Sequence, residues 1–343
     1  MFLETLAAPV VASWLPVQDT PPIMTVRGPV VPVQLGCCLP HEHIVTDFIG
    51  ADHVRWAPRY SRAAAVETIL PHLKALRAKG ISTLVECTPA YIGRDVRLLA
   101  QLAEASGLHI LTNTGYYGAV GNRYLPQHAY FATPDQLARK WIAEAEQGID
   151  GSSVRAGFIK LGVGNGVLTP LHQKLVRAAA QTHQATGLTI FIHTGDAEAA
   201  RDELRILTDE GIAPEALVWV HAQNDRLGDT QVHLAEQGSW VSLDGYRPTL
   251  PQRSRYPSML ARLKEAGCLH RVLIAHDDGW AVEGNQRRTD GLRFWGASSV
   301  SPYQGIFEQL RTDLDEHGFD DADWHQLTVL NPAQALAPRK RLR

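Results

Sequence analysis

Short apolar runs recur along the chain from Thr25 onward, and each run ends in a polar residue and is followed by an amphipathic stretch. This alternation is typical of repeated strand–helix units. It predicts eight strands, which are Gly36–His43, Thr83–Thr88, His109–Thr114, Gly157–Leu161, Leu188–His193, Ala216–His221, Trp240–Asp244 and Arg271–Asp277.

The segments between these runs carry apolar residues at three- and four-residue spacing, which predicts helices. The predicted helices are Leu70–Ala78, Asp95–Ser106, Pro134–Gln147, Leu171–Thr186, Glu198–Thr208 and Thr230–Glu236. A glycine follows each of them as a helix stop, namely Gly80, Gly107, Gly148, Gly187, Gly211 and Gly238. Strands that are apolar on both faces favour a closed parallel barrel over an open doubly wound sheet. The absence of a GxGxxG turn after the first strand also weakens the dinucleotide-binding alternative.

We therefore predict an α/β fold, a single-domain (β/α)8 TIM barrel over residues 25–343, with chemistry at the C-terminal ends of the strands. Residues 1–24 combine a short apolar run with a proline-rich stretch, which predicts an N-terminal arm or the remnant of a twin-arginine export signal. The location therefore stays open: cytoplasmic as the chain stands, exported if these residues end such a signal. The polar, glycine-containing segment Asp278–Tyr303 is predicted to be an active-site loop.

Composition narrows the function classes. The 343 residues carry a net charge of −3 and no block of Lys or Arg, which argues against nucleic-acid binding. No stretch approaches the roughly 18 apolar residues that cross a bilayer, so no membrane partner is expected. The four cysteines are too few and too scattered for a disulfide framework. Histidine, with 15 residues, is the one chemical surplus.

Metal-ligating residue types stand at the ends of five predicted strands. His41 and His43 share one face of the first strand, whereas Glu42 points to the other. The remaining four follow strands four, five, six and eight, and they are Lys160, His193, His221 and Asp277. Taken singly, a histidine at a strand end is more often a hydrogen-bonded core residue. Together these residues converge if the barrel closes.

Lys160 ends an apolar strand, although lysine is seldom fully buried without a partner. Burial lowers the pKa of a lysine and frees its neutral amine, which can react with carbon dioxide to form a carbamate. A carbamate on Lys160 could bridge two cations. Neutral imidazoles suit zinc or another late first-row divalent ion, and two such ions about 3.5–4 Å apart would share a hydroxide.

These residues resemble the ligand set of the phosphotriesterase family of the amidohydrolase superfamily. Further matching motifs are Met24–Pro29, Gly148–Gly151, Arg155–Lys160 and Asn331–Ala333, so the similarity runs in register over residues 24–335. The resemblance implies one ion on His41, His43 and Asp277, a second on His193 and His221, and carboxylated Lys160 with hydroxide between them. Asp277 is then the proton acceptor and the bridging hydroxide the nucleophile. Zinc is expected, with manganese, cobalt or iron as other choices, and the family suggests a homodimer.

The sequence departs from this family at two positions. Organophosphate-hydrolysing members pass a proton through an Asp after the sixth-strand His and a His after the seventh-strand Asp, where this chain has Asn224 and Gly245. Asp225 would restore the relay only by a one-residue shift. Lactonase-like members carry an Arg directly after the seventh-strand Asp, whereas Arg247 stands three residues beyond Asp244.

Five residues that follow strand ends are candidates for the substrate pocket, with surface or loop packing as the alternative: Tyr116, Tyr117, Tyr246, Arg247 and Trp280. His276 is expected to support the site rather than to bind metal, and Asp278 competes with Asp277 for the ligand role.

The sequence thus predicts a binuclear metal-dependent hydrolase of carboxylic esters, lactones or phosphoesters that acts on a small molecule. Two alternatives remain. A mononuclear deaminase-type enzyme would not need Lys160, and a non-catalytic metal-stabilised binding protein would keep the ligands buried.

Overall fold

The computed structural model describes residues 21–54, 57–249, 252–285, 289–296 and 301–339. Eight parallel strands form a barrel, as predicted. They are β1 (Cys37–Glu42), β2 (Ile81–Glu86), β3 (His109–Leu111 continued by Asn113–Thr114), β4 (Phe158–Gly162), β5 (Ile190–His193), β6 (Leu217–Val220), β7 (Trp240–Leu243) and β8 (Val272–Ile274). The first part of β3 pairs with β2 and the second with β4, so β3 joins the two halves of the sheet. The barrel closes between β8 and β1, where Asp277 N donates to His41 O at 3.3 Å and His43 N donates to Asp278 O at 2.8 Å.

Helices connect consecutive strands, as the βα pattern requires. They are α1 (Arg62–Ala78), α2 (Val96–Ser106), α3 (Pro134–Glu146), α4 (Pro170–Thr186), α5 (Ala197–Asp209), α6 (Asp229–Glu236) and α7 (Gln252–Glu265), with a short helix at Gln127–Phe131. After β8 the chain continues through Ile306–Leu310, Arg311–Asp315, Asp321–His325, Gln326–Leu330 and Asn331–Leu336, the last of which packs against the bottom of the barrel.

The predicted helix ends agree with the structure to within a residue or two, except at the start of α1. That helix begins at Arg62 rather than Leu70, because Ser61 caps it by accepting from Ala64 N at 3.3 Å. The alanines that follow Ser61 carry too weak an apolar periodicity to reveal this first part of the helix. Gly107 and Gly187 end α2 and α4 in the left-handed conformation, each at φ 75°.

Large apolar side chains fill the lower part of the barrel. Phe158, Phe191, Val218, Trp240 and Leu273 point inward from five strands and are fully buried. An N-terminal hairpin, Ile23–Thr25 paired with Gly28–Val30, places Ile23 in the same cluster. The N-terminal arm predicted at 1–24 lies mostly outside the described residues. The lower half is apolar and filled, apart from hydroxyls such as those of Thr83 and Thr189, which donate to the backbone carbonyls of Leu35 and Ala335. The predicted metal ligands therefore lie above this layer, toward the C-terminal ends of the strands.

In the segment Asp278–Tyr303, predicted to be a loop, the described residues include two strands, which corrects the prediction of a loop without regular structure. Gly279–Gly284 and Thr289–Trp295 form an antiparallel hairpin whose first strand also pairs with Val45–Thr46. Trp280 and Val282, two residues apart, are both buried. Ala281 between them is buried as well, so these three residues form a short apolar run whose strand character the surrounding glycine and polar residues obscure. No helix in the described part of the chain is both long and apolar enough to cross a membrane.

Candidate metal centre

Three predicted ligands meet at the top of the barrel. Asp277 Oδ1 lies 3.1 Å from His43 Nε2 and 3.5 Å from His41 Nε2. One ligand atom from each residue lies within 4.8 Å of the others, and the His41 side chain is fully buried. Two imidazoles and one carboxylate at this spacing suit a late first-row divalent cation.

A bulge in β1 directs the two histidines to the same point. The pairing of β1 with β2 shifts register between Leu39 and Glu42, so one extra residue is accommodated in the stretch that contains His41. Glu42 points away from the centre, as the alternation predicts. Its carboxylate accepts from His276 N at 2.9 Å and from Asp278 N at 2.8 Å. Glu42 therefore holds the backbone on both sides of Asp277.

Asp277 reaches the centre by a route other than the one predicted. Strand β8 ends at Ile274 rather than at Asp277, and Asp277 itself adopts a left-handed backbone conformation with φ 58°. A non-glycine residue persists in that conformation only where its surroundings impose it. Asp278 turns into the protein, where it accepts from Tyr303 N at 3.0 Å. Asp277 is therefore the carboxylate in the group that could hold a metal, whereas the oxygens of Asp278 are directed to Tyr303 N and Arg247.

A second pair of histidines lies beside the first group. His193 Nδ1 and His221 Nε2 are 2.7 Å apart, and the rings of His221 and His41 are centred 5.3 Å apart. Two nitrogen lone pairs at such a separation repel each other unless a proton or cation lies between them. Strand β6 ends at Val220, one residue before the prediction, because His221 also adopts a left-handed conformation, at φ 65°.

Asp244, at the end of β7, connects the two histidine groups. Its Oδ2 lies 3.0 Å from His41 Nδ1 and its Oδ1 lies 2.6 Å from His221 Nδ1, and the carboxylate is fully buried. Burial raises the pKa of this carboxyl, but the neighbouring His221 and His41 lower it by more, so the net pKa is well below its ordinary value. A carboxylate bonded to Nδ1 turns Nε2 toward a metal and fixes the tautomer. Sequence reasoning did not assign Asp244 this role, although its position at a strand end was a usable signal.

Lys160 lies on β4, 2% exposed, and its Nζ has no hydrogen-bond partner among the described residues. Burial lowers the pKa of its ammonium group. His41 Nε2 also lacks a partner, and burial followed by the nearby Lys160 lowers the pKa of His41 to about 4. A buried polar atom without a partner costs stability. The donor set therefore fits bound cations, since these atoms become satisfied when the imidazole ligates metal and the amine carries a carbamate.

Two supporting contacts complete the ligand geometry. His43 Nδ1 lies 2.8 Å from Thr88 Oγ1, which orients the ring. His276 lies outside the centre, with Nδ1 2.8 Å from Glu42 Oε1 and Nε2 accepting from Ile306 N at 2.9 Å. This agrees with the prediction that His276 supports the site.

Three of the pocket candidates are buried away from solvent, so the prediction is wrong for them. Tyr246 is fully buried against Tyr256, Trp280 packs on Phe294, and Tyr116 contacts His128 with its hydroxyl 2.9 Å from Nε2. Each of these residues follows the end of a strand, but the local backbone directs its side chain away from the barrel axis and into the packing between the barrel and the surrounding elements.

Tyr117 and Arg247 keep access to the site. The Tyr117 ring lies 4.8 Å from that of His193, centre to centre. The Arg247 side chain is 24% exposed and donates to the carbonyls of His276 and Tyr246. Both stay predictions as substrate contacts.

A chain of aromatic rings runs around one side of the centre, from His43 to His193. The successive ring centres are 5.4 Å apart for His43–Trp295, 6.0 Å for Trp295–Phe48, 6.2 Å for Phe48–Tyr124, 5.8 Å for Tyr124–Tyr117 and 4.8 Å for Tyr117–His193. We call the four non-histidine members the aromatic rim. Sequence analysis missed three of them, because they lie on connections whose course only the fold defines.

The structure shows the surroundings of the residues at which the sequence departs from the family pattern, Asn224 and Gly245, and of the neighbouring Asp225. Asp225 is buried and accepts from Thr230 N at 3.0 Å near the start of α6, so it is committed to that helix rather than to a relay. Asn224 is exposed. Gly245 lies beside Gln223, whose Nε2 would be 2.6 Å from a Cβ at residue 245. Gln223 therefore takes the space that a side chain after Asp244 would occupy.

Comparison with known proteins relates this chain to one family of hydrolases by sequence and by structure. The sequence model of the Phosphotriesterase family matches residues 21–336. The "Phosphotriesterase homology protein" of Escherichia coli is 27% identical over 306 residues, covering 87% of this chain and 97% of that protein. The "Aryldialkylphosphatase" of Saccharolobus solfataricus is 28% identical over 251 residues, 71% of this chain and 77% of that protein. The structure of an organophosphorus hydrolase from Deinococcus radiodurans superposes with a TM-score of 0.83 at 26% identity, covering 95% of this chain and 100% of that one.

Proposed function

The chain belongs to the phosphotriesterase family, and from this premise we propose that it is a binuclear metal-dependent hydrolase of ester-type bonds. The bond is a carboxylic ester, a lactone or a phosphoester in a small molecule. The observation that carries the proposal is the convergence of His41, His43 and Asp277 within 4.8 Å. The His193–His221 pair and the unpartnered amine of Lys160 support it.

The residues divide into two ligand sets. His41, His43 and Asp277 would hold one divalent ion, and His193 and His221 would hold the other, with carboxylated Lys160 between them. Zinc suits the imidazole-rich donors, and manganese, cobalt or iron are the other choices. When bound, such ions act as Lewis acids and lower the pKa of coordinated water toward neutrality.

The chain's own groups then perform three tasks. Asp244 holds His41 and His221 in the tautomer that presents Nε2. Asp277, whose side chain is 24% exposed, is placed to accept a proton and to pass it to solvent. This short route does not need the side-chain relay that Asn224 and Gly245 would interrupt. Tyr117 and the rest of the aromatic rim offer an apolar wall for the part of the substrate beyond the scissile bond.

The test combines metal analysis with turnover. Protein reconstituted with zinc or manganese is assayed on a panel of aryl esters, lactones and phosphotriesters, together with Asp277→Asn and Lys160→Ala. We expect two ions per chain, hydrolysis of at least one class, loss of hydrolysis in Asp277→Asn, and reduced metal content in Lys160→Ala. Asp225→Asn is the matched control, because its carboxylate contacts α6 rather than any ligand.

Each alternative gives a different result. One ion per chain and an unchanged metal content in Lys160→Ala would favour the mononuclear deaminase-type enzyme. Two bound ions without turnover of any ester would favour a metal-stabilised binding protein. Activity in metal-free protein would end the proposal altogether. The homodimer stays a prediction, which the mass of the protein in solution checks.

A further inference from the structure

A cleft of about 850 Å³ opens beside the metal centre. It lies between the connection after β1, the connection after β3 and the hairpin that follows β8. Its lining includes Phe48, Asp52, Arg59, Arg123, Tyr130 and Asn285, and none of the proposed metal ligands. The cleft is therefore a separate space that neither the ligand set nor the proposed hydrolysis explains.

Phe48 forms the border between the cleft and the metal centre. It lines the cleft, and its ring is centred 6.0 Å from Trp295, which in turn lies 5.4 Å from the ring of His43. Phe48 is 42% exposed, so its ring is accessible from the cleft. Phe48 and Trp295 therefore lie between the cleft and His43.

Two arginines line the cleft: Arg59 is paired with a carboxylate, whereas Arg123 is exposed to solvent. Arg59 is paired, because its guanidinium bonds both oxygens of Asp47 at 2.7 and 2.8 Å. Arg123 has no carboxylate within ion-pair distance among the residues that the structure describes. Its guanidinium lies 5.8 Å from the centre of the Tyr124 ring, and its Nη2 donates to Ile49 O at 3.5 Å.

Two other charged or titratable groups line the same space, Asp52 and His53. Asp52 would repel an anion in the cleft, so its effect on binding has the opposite sign to that of Arg123. An arginine with free donors recognises carboxylates well because its planar fork matches their two oxygens.

We propose that this cleft binds the carboxylate end of an extended substrate through Arg123, while the scissile ester lies at the metal centre and the chain between them crosses Phe48. The inference rests on the proposed function and deepens it, since it names the substrate class as esters of acids that carry a second, free carboxylate. The reaction remains hydrolysis: water adds to the acyl carbon, the acyl–oxygen bond breaks, and the alcohol leaves with a proton.

The test compares two esters of equal length. The first is 4-nitrophenyl hydrogen suberate, which bears a carboxylate at its far end, and the second is its methyl ester, which is neutral there. With metal-loaded protein, we expect Arg123→Met to lower kcat/KM for the carboxylate substrate about tenfold, mainly through KM, and to leave the methyl ester within twofold. Asp52→Asn should raise kcat/KM for the carboxylate substrate alone, about twofold to threefold. Arg27→Met, which removes an exposed arginine paired with Glu104, serves as the control and should change neither ester.

Calorimetric titration with suberate provides a readout that needs no turnover. Arg123→Met should weaken the binding of suberate about tenfold. If suberate bound only to the metal ions, its affinity would be the same in wild type and Arg123→Met. Equal binding of suberate by wild type and Arg123→Met, or weaker binding by Asp52→Asn, would overturn the proposal. Failure to hydrolyse either ester or any lactone or phosphotriester of the panel, with suberate binding still dependent on Arg123, would instead refute the proposed function and leave the anion site standing.

Discussion

The Nδ1 atom of His221 lies 2.6 Å from Oδ1 of Asp244, in a buried contact at the carboxyl ends of β6 and β7. The second oxygen of the same carboxylate lies 3.0 Å from His41 Nδ1. One carboxylate therefore orients a histidine from each of the two proposed ligand sets, so the two sets depend on a single side chain.

Replacing this carboxylate should weaken both ion sites together. We expect Asp244→Asn to lower metal affinity about 10- to 100-fold, because the amide can accept from only one of the two imidazoles through its oxygen. Metal content after dialysis against a chelator of known affinity measures the effect. A variant that kept both ions at wild-type affinity would contradict the role assigned to Asp244.

Gln223 supports Asp244 from the opposite side. Its Nε2 donates to Asp244 Oδ1 at 3.3 Å, and its Oε1 accepts from Asp244 N at 3.2 Å. We expect Gln223→Ala to lower metal affinity less than Asp244→Asn does, by roughly threefold to tenfold.

Gly245 offers an independent way to move the same amide. A Cβ at residue 245 would come within 2.6 Å of Gln223 Nε2, so Gly245→Ala should displace the amide and reproduce the effect of Gln223→Ala. The double variant should then be no worse than either single variant, because both changes remove one interaction. Additive losses in metal affinity would show that Gly245→Ala acts elsewhere, for example on the Tyr256 hydroxyl.

Trp295 is expected to affect binding of the substrate rather than the chemical step. It lies 5.4 Å from the ring of His43, and its Nε1 donates to Thr46 Oγ1 at 3.1 Å. Trp295→Leu should raise KM for bulky aryl esters severalfold while kcat changes little, because apolar contact area is lost without loss of a ligand. Trp324→Leu, on a helix after β8, is a control for the loss of an indole. A large fall in kcat with unchanged metal content would show that Trp295 takes part in the chemical step.

Glu86 makes the stability of the protein dependent on pH. Its side chain is buried, and burial, partly offset by hydrogen bonds from Thr88 and Ile44, raises the pKa of this carboxyl to about 7. Between its ordinary pKa and this raised value, the unfolded chain has released the proton while the folded chain keeps it. The free energy of unfolding therefore falls as pH rises through this range, by about 3 kcal/mol for this group, and levels off above pH 7.

The matched variant for this effect is Glu86→Gln, which cannot ionise. Its stability relative to wild type should increase with pH between about 5 and 7, as measured by urea unfolding at each pH. A stability difference between the two proteins that does not change with pH would refute the assigned titration.

Much of the fold was determined by the sequence, because strand and helix periods are local properties of the chain. Strands that are apolar on both faces must be buried on both faces. A parallel barrel provides this, because its interior covers one face and the surrounding helices cover the other. The same alternation showed that His41 and His43 share a face and that Glu42 does not, and it placed Lys160 among apolar neighbours. The rule that parallel strands end on the same side then brought the metal-binding residue types to one end of the barrel.

Only the tertiary structure decided which side chains actually meet there. The left-handed conformations of His221 and Asp277 lie beyond the ends of their strands, where alternation no longer predicts direction. Burial of Tyr246 and Trp280, the link from Asp244 to His41 and the arrangement of the aromatic rim all depend on contacts between segments far apart in the chain. The physical reason is that barrel closure fixes these distances, whereas local periodicity fixes only the face on which each residue lies.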